Sequence, residues 1–213
     1  MLQSKILTSH KDIIHGFGTK SESTPKLASR FTLCEQTHSD KITTVYDRKI
    51  KFINKADGLI TAHKGISIAI QTADCIPILV FDPEKMVVAA VHAGWRGTQR
   101  SILAKTIKKM TKNGSKTKDI IIAIGPSIGA CCYDIPPQRA RLFNKKVIHL
   151  QNKKYYLDLK KANLIQAQDL KIRKKNIEIL DYCTFCRGDL FHSFRRDNTT
   201  SHKMYSFISL KDR

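Results

Sequence analysis

The segment IAIQTADCIPILVFDPEKMVVAAVHAGWRG, Ile68 to Gly97, holds two apolar, β-branched runs, Ile76–Phe81 and Met86–Val91, joined by the turn-forming Asp82-Pro83. Cys75 stands just before the first run and His92 just after the second. In an antiparallel hairpin the start of one strand lies beside the end of the next. Residues 17 apart in sequence (92 − 75) are therefore brought to one edge of a sheet. A thiol and an imidazole meeting beside Gly94, Arg96 and Gly97 form either part of a metal site or a nucleophile–base pair.

The rest of the chain sets the bounds. Its 213 residues can bury one good core, and nothing in them demands a second domain. The opening MLQSKILTSHKDIIHGF has no apolar block of signal-peptide length, and the longest apolar stretch is broken by Pro77. The expectation is a cytoplasmic protein with no membrane partner. In that setting Cys34, Cys75, Cys131, Cys132, Cys183 and Cys186 read as free thiols or metal ligands, not as a disulfide framework.

The net charge is +20, from 38 basic and 18 acidic residues. A basic surface attracts polyanions, so one reading is a nucleic-acid-binding protein without catalysis. The plainer reading is a solvated lysine-rich surface. Lys105, Lys108, Lys109 and Lys112 fall opposite Leu103, Ile107 and Met110 at helical spacing, and no zinc-finger or RNA-binding aromatic motif accompanies them. No specific nucleic-acid partner is expected.

No repeat or low-complexity tract is present. Ile66–Ile70, Ile120–Ile124, Asn176–Leu180 and Tyr205–Leu210 join the two central runs as expected strands, and Lys41–Tyr46 is strand-like. A helix is expected from Ser101 to about Lys112, capped by Thr98 or Ser101 and stopped by Asn113-Gly114. A second is expected from Asn163 to Lys174, with Leu164, Ala167 and Leu170 on its buried face. Strands in the middle and helices at the flanks favour α+β with a mixed sheet. Neither a dinucleotide-binding glycine fingerprint nor a nucleotide P-loop is present.

A metal needs a third ligand, and His38 in Glu35-Gln36-Thr37-His38-Ser39-Asp40 is the best candidate. His38, Cys75 and His92 would supply one thiolate and two imidazoles and leave a fourth position open, as in catalytic zinc sites. The same donor set could hold copper. Without a metal, Cys75 would be a nucleophile and His92 its base, oriented by Asp74 or another polar group, which describes a cysteine hydrolase or deamidase. The plain alternative is a small core cysteine among satisfied histidines. Gly125-Pro126-Ser127-Ile128-Gly129 reads as an anion-binding loop or as a tight strand-ending turn. Cys183-x-x-Cys186 has half of a zinc-ribbon spacing, and Cys131-Cys132 does not supply the other half, so the pair reads as incidental. Phe191 to Asp197 mixes arginine, aromatic and hydroxyl groups suited to phosphate.

The motifs HGFGTK (15–20), QTHSDKI (36–42), ADGLIT (56–61), TADCIPILV (72–80), VHAGWRGT (91–98), IGPSIGACCYDI (124–135) and FHSFRRD (191–197) resemble the multicopper polyphenol oxidase, or laccase-domain, family. Its bacterial members look like purine nucleoside phosphorylases that also deaminate adenosine. The resemblance runs in family order over nearly the whole chain. It implies one α+β domain over residues 1–213, with a two-sheet mixed core between helices in α/β/β/α layers. It also implies a zinc site at His38, Cys75 and His92. The implied reactions are phosphorolysis of adenosine, inosine, guanosine and methylthioadenosine, and hydrolytic deamination of adenosine. Two departures bear on substrate binding. The segment from Thr19 to Glu35 is shorter than usual, with Arg30 its sole arginine, and both glycines and the last arginine of the family tail are replaced in 195–202. Four coppers would require H-x-H pairs, and none of the eight histidines forms one.

The leading expectation is thus a zinc-dependent purine nucleoside enzyme acting on nucleosides and phosphate. Asp74 is its candidate proton shuttle, Arg96, Arg195 and Arg196 its phosphate-holding cations, and Gln36 a hydrogen-bonding partner for substrate. A metal-free cysteine hydrolase, a copper polyphenol oxidase and a nucleic-acid-binding protein are the alternatives.

Overall fold

A computed structural model describes residues 1–22, 29–199 and 201–212. Of the shortened segment between Thr19 and Glu35, residues 23–28 lie outside that description, as does Thr200 in the altered tail. The first half of the chain runs α1 (Lys5–Thr8), β1 (Ile13–Gly16), β2 (Leu33–Cys34), β3 (Ile42–Thr44), β4 (Phe52–Ile53), β5 (Gly58–Thr61), β6 (Ser67–Thr72), β7 (Ile76–Asp82) and β8 (Val87–Ala93). There follow α2 (Trp95–Gln99), α3 (Ile102–Lys112), β9 (Ile121–Ile124), β10 (Asp134–Ile135), α4 (Pro137–Ala140), β11 (Ile148–Gln151) and β12 (Lys154–Leu157). The chain closes with α5 (Leu159–Asp169), β13 (Ile177–Ile179), α6 (Phe194–Asp197) and β14 (Met204–Leu210).

The hairpin β7–β8 lies at the centre of a six-stranded sheet ordered β13-β9-β7-β8-β5-β3. β13–β9 and β3–β5 pair in parallel and the other neighbours antiparallel, so the sheet is mixed as expected. Both faces of the hairpin are buried, and side-chain alternation divides it between two cores. Ile78, Val80, Ala89 and Val91 pack with Ile102, Leu103, Ile107 and Met110 of α3 and with Leu159, Ala162 and Ala167 of α5. Leu79, Phe81, Val88 and Ala90 face the other way, onto Ile68, Ile70, Ile208 and Leu210 of a three-stranded sheet ordered β1-β14-β6. These layers form one α+β unit. The two long helices both lie against the large sheet, and the short α1 packs Leu7 into the second core; Phe31 stacks on Phe207 at 4.9 Å.

Several local expectations shift. Met86 takes φ +51 in the β7–β8 turn, so β8 begins at Val87; Asp82 shapes that turn by accepting from the Glu84 and Lys85 amides. Ser101 has φ +61 and caps α3 with no side-chain bond, while the Thr98 hydroxyl accepts from Asn163 Nδ2. Asn113 and Gly114, the latter at φ +99, end α3 as expected. The second helix starts earlier than the sequence pattern indicates, at Leu159, because Asp158 caps it by accepting from the Lys161 amide. Its buried residues are Leu159, Lys160, Ala162, Asn163 and Ala167; of the expected Leu164–Ala167–Leu170 face Ala167 is buried, while Leu164 and Leu170 are half-buried. No helix among the described residues is long and apolar enough to cross a membrane.

Leu79 is fully buried between the two sheets on the central strand. Replacing it with alanine is expected to destabilise the domain by about 2–5 kcal/mol, seen as a lower urea midpoint. A change within error would mean that the two sheets do not share this core.

Candidate metal centre and its cavity

Four strand ends meet at one edge of the large sheet. β7 starts there and β8 ends there, with Ile76 opposite Ala93 and Pro77 opposite His92. β5 runs antiparallel to β8 and β3 parallel to β5, so both start at that same edge. Cys75 immediately precedes β7, Asp57 immediately precedes β5, and His38 sits in the loop leading to β3. The sheet register alone thus gathers donors that lie far apart in sequence.

Asp57 is the anchor. It is fully buried, and its main-chain oxygen accepts from the His92 amide at 2.7 Å while Oδ1 lies 2.7 Å from His92 Nδ1. The same carboxylate accepts from the amides of Thr37, His38 and Ser39 at 3.2, 3.0 and 2.7 Å and from the Ser39 hydroxyl at 2.7 Å. Burial works against its charge, but bonds from His92 and Ser39 outweigh that and hold it down at about 2. One carboxylate therefore fixes the His92 ring and the loop that presents His38, which sits at φ +57.

With Nδ1 committed to Asp57, His92 keeps Nε2 for the centre. Cys75 Sγ lies 3.9 Å from His38 Nε2, and one donor atom from each of His38, Cys75 and His92 falls within 4.8 Å of the others. Burial penalises the Cys75 thiolate, yet His92 and His38 draw the thiol down to about 6. Burial likewise opposes the His92 cation, but the Cys75 thiolate and Asp57 push it up to about 9. Gly94 keeps the space open: a Cβ there would sit 2.9 Å from Cys75 Sγ and 3.1 Å from His38 Cδ2. A soft thiolate, two imidazoles, a carboxylate behind one of them and a cradle without a side chain fit a single zinc-like ion.

This cluster opens into a cavity of about 410 Å³, the size of a small-ligand site. Of the residues singled out in the sequence, His38, Cys75 and His92 converge, and Gln36, Asp74, Arg96 and Arg195 line the same cavity. Gln36 clamps the Gln71 backbone with both ends of its amide, at 2.7 Å each. Asp74, at φ +84, accepts from the Thr184 hydroxyl at 2.6 Å and from the Arg195 amide at 2.7 Å. The Arg195 guanidinium bonds to Asp134 and lies over the Tyr133 ring. Arg196 is not in the lining. Its guanidinium binds the carbonyls of Thr184, Phe185 and Phe191, with Asp197 beside it.

The sequence reading missed Asp57, Arg139, Lys203, Tyr133 and Trp95. Asp57 was within reach, since it belongs to the quoted ADGLIT motif. Arg139 carries no such signal, lying on the short helix α4. It stacks on Trp95 at 4.3 Å, with Arg96 over the same ring at 4.5 Å, and its buried Nε has no partner among the described residues. Phe194 lines the cavity with 48 % of its surface exposed.

The fold and the site define a class. The chain belongs to the multi-copper polyphenol oxidoreductase laccase family, whose sequence model matches residues 19–211. A purine nucleoside phosphorylase from Clostridium acetobutylicum is 38 % identical over 182 residues, covering 83 % of this chain and 75 % of that protein. The purine nucleoside phosphorylase YlmD of Bacillus subtilis is 32 % identical over 198 residues, covering 85 % and 71 %. Among solved structures, the hypothetical protein YfiH of Bacillus licheniformis superposes with a TM-score of 0.86 at 29 % identity, covering 93 % of each chain. YlmD of Geobacillus stearothermophilus gives 0.86 at 27 %, covering 95 % and 93 %.

Two outcomes follow from this geometry. Asp57→Asn keeps the shape but removes the negative charge behind His92, and is expected to weaken zinc binding roughly 10–100-fold by competition titration. Unchanged affinity would show that His92 is held by other means. In the wild type, binding between pH 6 and 9 must displace the His92 proton while Cys75 is already ionised. Calorimetry in buffers of different ionisation enthalpy should therefore detect proton release and an affinity that rises with pH through this range. Affinity that is flat with pH would contradict the paired thiolate and imidazolium.

Proposed function

We propose that this protein is a zinc-dependent purine nucleoside phosphorylase that also deaminates adenosine and cleaves methylthioadenosine. The observation that carries the reading is the convergence of His38, Cys75 and His92 in a cavity whose lining also holds four cations, Arg96, Arg139, Arg195 and Lys203. Purine nucleoside phosphorylases among the relatives support it. His38, Cys75 and His92 would hold the zinc ion, which would supply Lewis acidity and acidify a bound water.

The remaining roles fall to the chain itself. Arg96, Arg139, Arg195 and Lys203 offset the charge of phosphate and hold it for attack at the ribose carbon. Tyr133 and Phe194 offer aromatic surface to the base. Gln36 stiffens the wall at Gln71 and faces the substrate from there. Asp74 is the one carboxylate of the described lining, and each of its oxygens keeps a lone pair beyond the bond it accepts. We assign proton transfer to it. Arg196 serves phosphate only indirectly, by tying the backbone that precedes α6.

Zinc is preferred over copper because, among the described residues, the donor groups include one histidine-containing centre, with two histidines, and the sequence has no H-x-H pair. One observation favours a second reading. A Cys75 thiolate beside a His92 imidazolium that is itself backed by Asp57 is also the arrangement of a cysteine hydrolase.

Cys75→Ser and His38→Ala separate the two. On the zinc reading both lose metal and nucleoside phosphorolysis together, with the rate falling by roughly two orders of magnitude or more. On the hydrolase reading His38→Ala changes little, and alkylation of Cys75 inactivates without releasing metal. Phosphorolysis that persists in a rigorously metal-free preparation defeats the zinc reading.

A further inference from the structure

The topology that builds the first centre builds another. β13 and β9 pair in parallel, with Ile179 opposite Ile124, and the two segments continue side by side beyond the sheet. Leu180 N–H donates to the Ile124 carbonyl at 2.9 Å, Ser127 bridges Cys183, and Thr184 N–H donates to the Ser127 carbonyl at 3.0 Å. Each segment then turns. The amides of Cys132 and Tyr133 both donate to the Gly129 carbonyl, and Arg187 N–H donates to the Cys183 carbonyl. The second turn puts Cys183 and Cys186 on one side of a helical loop. The first sets Cys131 and Cys132 against them.

All four sulphurs lie within 4.8 Å of one another. Cys132 and Cys186 are 3.3 Å apart, and Cys131 and Cys186 are 3.8 Å apart. A disulfide needs about 2.05 Å, and all four cysteines are free. A tetrahedron of four zinc–sulphur bonds of about 2.3 Å has edges of about 3.8 Å; the Cys131–Cys186 separation equals that edge, the Cys132–Cys186 separation is 0.5 Å shorter, and all the others stay within 4.8 Å. The Gly129 amide points at Cys183 Sγ from 3.2 Å, as amides do around thiolate ligands. A Cβ on Gly129 would meet Cys131 Sγ at 3.1 Å and Cys183 Cβ at 3.2 Å, so a side chain there would crowd the sulphurs.

We infer that Cys131, Cys132, Cys183 and Cys186 form a second, structural metal site that holds one zinc ion in a closed set of four thiolates. The pair Cys183-x-x-Cys186 is therefore not incidental, and Cys131-Cys132 is its counterpart despite lacking the C-x-x-C spacing. Four protein ligands leave no open position, which is the structural pattern of zinc, in contrast to the three-ligand centre of the cavity. The ion joins two walls of that cavity. Tyr133 directly follows Cys132 and lines the cavity, while Thr184 directly follows Cys183 and bonds Asp74. The carbonyls of Thr184 and Phe185 hold Arg196, next to the lining Arg195.

Native mass spectrometry of the full chain loaded with zinc tests this. The wild type is expected to carry one ion more than the double variant Cys131→Ser/Cys186→Ser. Cys75→Ser should leave the four-thiolate ion in place, so failure of this site and failure of the cavity site are told apart. With cobalt in place of zinc, the four-cysteine site should give the intense thiolate-to-metal absorption of tetrahedral thiolate coordination, retained in Cys75→Ser and absent from the double variant. A wild-type measurement guards against a variant that does not fold. Cys131 and Cys186 are exposed, yet zinc should slow their alkylation roughly tenfold or more until a chelator is added. Equal alkylation rates with and without zinc, disulfides among these four residues in peptide mapping, or a chain that takes iron and refuses zinc would each overturn the assignment.

Discussion

A buried carboxylate must find partners for its charge, and the one at Asp57 finds them in the parts that have to be held together. Its partners are His92 from β8 and Thr37, His38 and Ser39 from the loop before β3. The three amides come from residues that lie at least partly at the surface, so what they gain from Asp57 is a fixed charged acceptor in place of water. The loop therefore adopts the shape that serves the carboxylate, and His38 is turned toward Cys75 as a consequence. The sheet contributes direction and Asp57 contributes position. Without the shared edge of β3, β5, β7 and β8 the donors would not meet, and without Asp57 they would meet loosely.

How much of this was legible depended on how far apart the interacting residues lie. The hairpin was readable because continuous apolar, β-branched runs and an Asp-Pro turn are local signals, and the meeting of Cys75 with His92 follows from antiparallel pairing alone. Asp57 falls within the ADGLIT motif, but its role gave no local sign, since a carboxylate before a strand reads the same whether buried or solvated. The shift of α5 has a related cause. Lys160 and Asn163 are buried polar residues; the Lys160 ammonium bonds Asp181 and the Tyr182 carbonyl, and the Asn163 Nδ2 donates to the Thr98 hydroxyl and the Leu159 carbonyl. A reading that equates burial with apolar character passes over both of them. The hairpin β11–β12 was invisible for another reason: its strands mix lysine, tyrosine and histidine, and its turn uses Asn152 and Lys153 at φ +49 and +61.

The cysteines show the limit of spacing rules most clearly. A search for paired C-x-x-C motifs rejects Cys131-Cys132, because adjacent residues on a regular element point apart. On the irregular chain after Gly129 that objection has no force, since the chain turns there, with the Cys132 and Tyr133 amides both donating to the Gly129 carbonyl. What brings the four sulphurs together is the parallel pairing of β9 with β13, a contact between strands more than fifty residues apart. Topology supplies what the spacing lacks.

The strong positive charge resolves along the same lines. Many lysines are tied to the fold: Lys105 to Asp40, Lys109 to the Ile42 carbonyl and Lys160 to Asp181. The exposed pair Lys105–Asp40 contributes little energy, and none of these contacts makes a binding site by itself. The cations of the cavity are arranged differently, because Arg96 and Arg139 lie over the Trp95 ring and Arg195 lies over Tyr133. Stacking on an aromatic face holds a guanidinium in place while leaving its N–H donors free to point elsewhere. Arginines held in this way lose less freedom when an anion arrives than lysines on a solvated helix do. A net charge of +20 is thus a poor guide to partners in this chain, whereas three guanidiniums held over aromatic rings beside a His₂Cys centre favour a small anion as the partner.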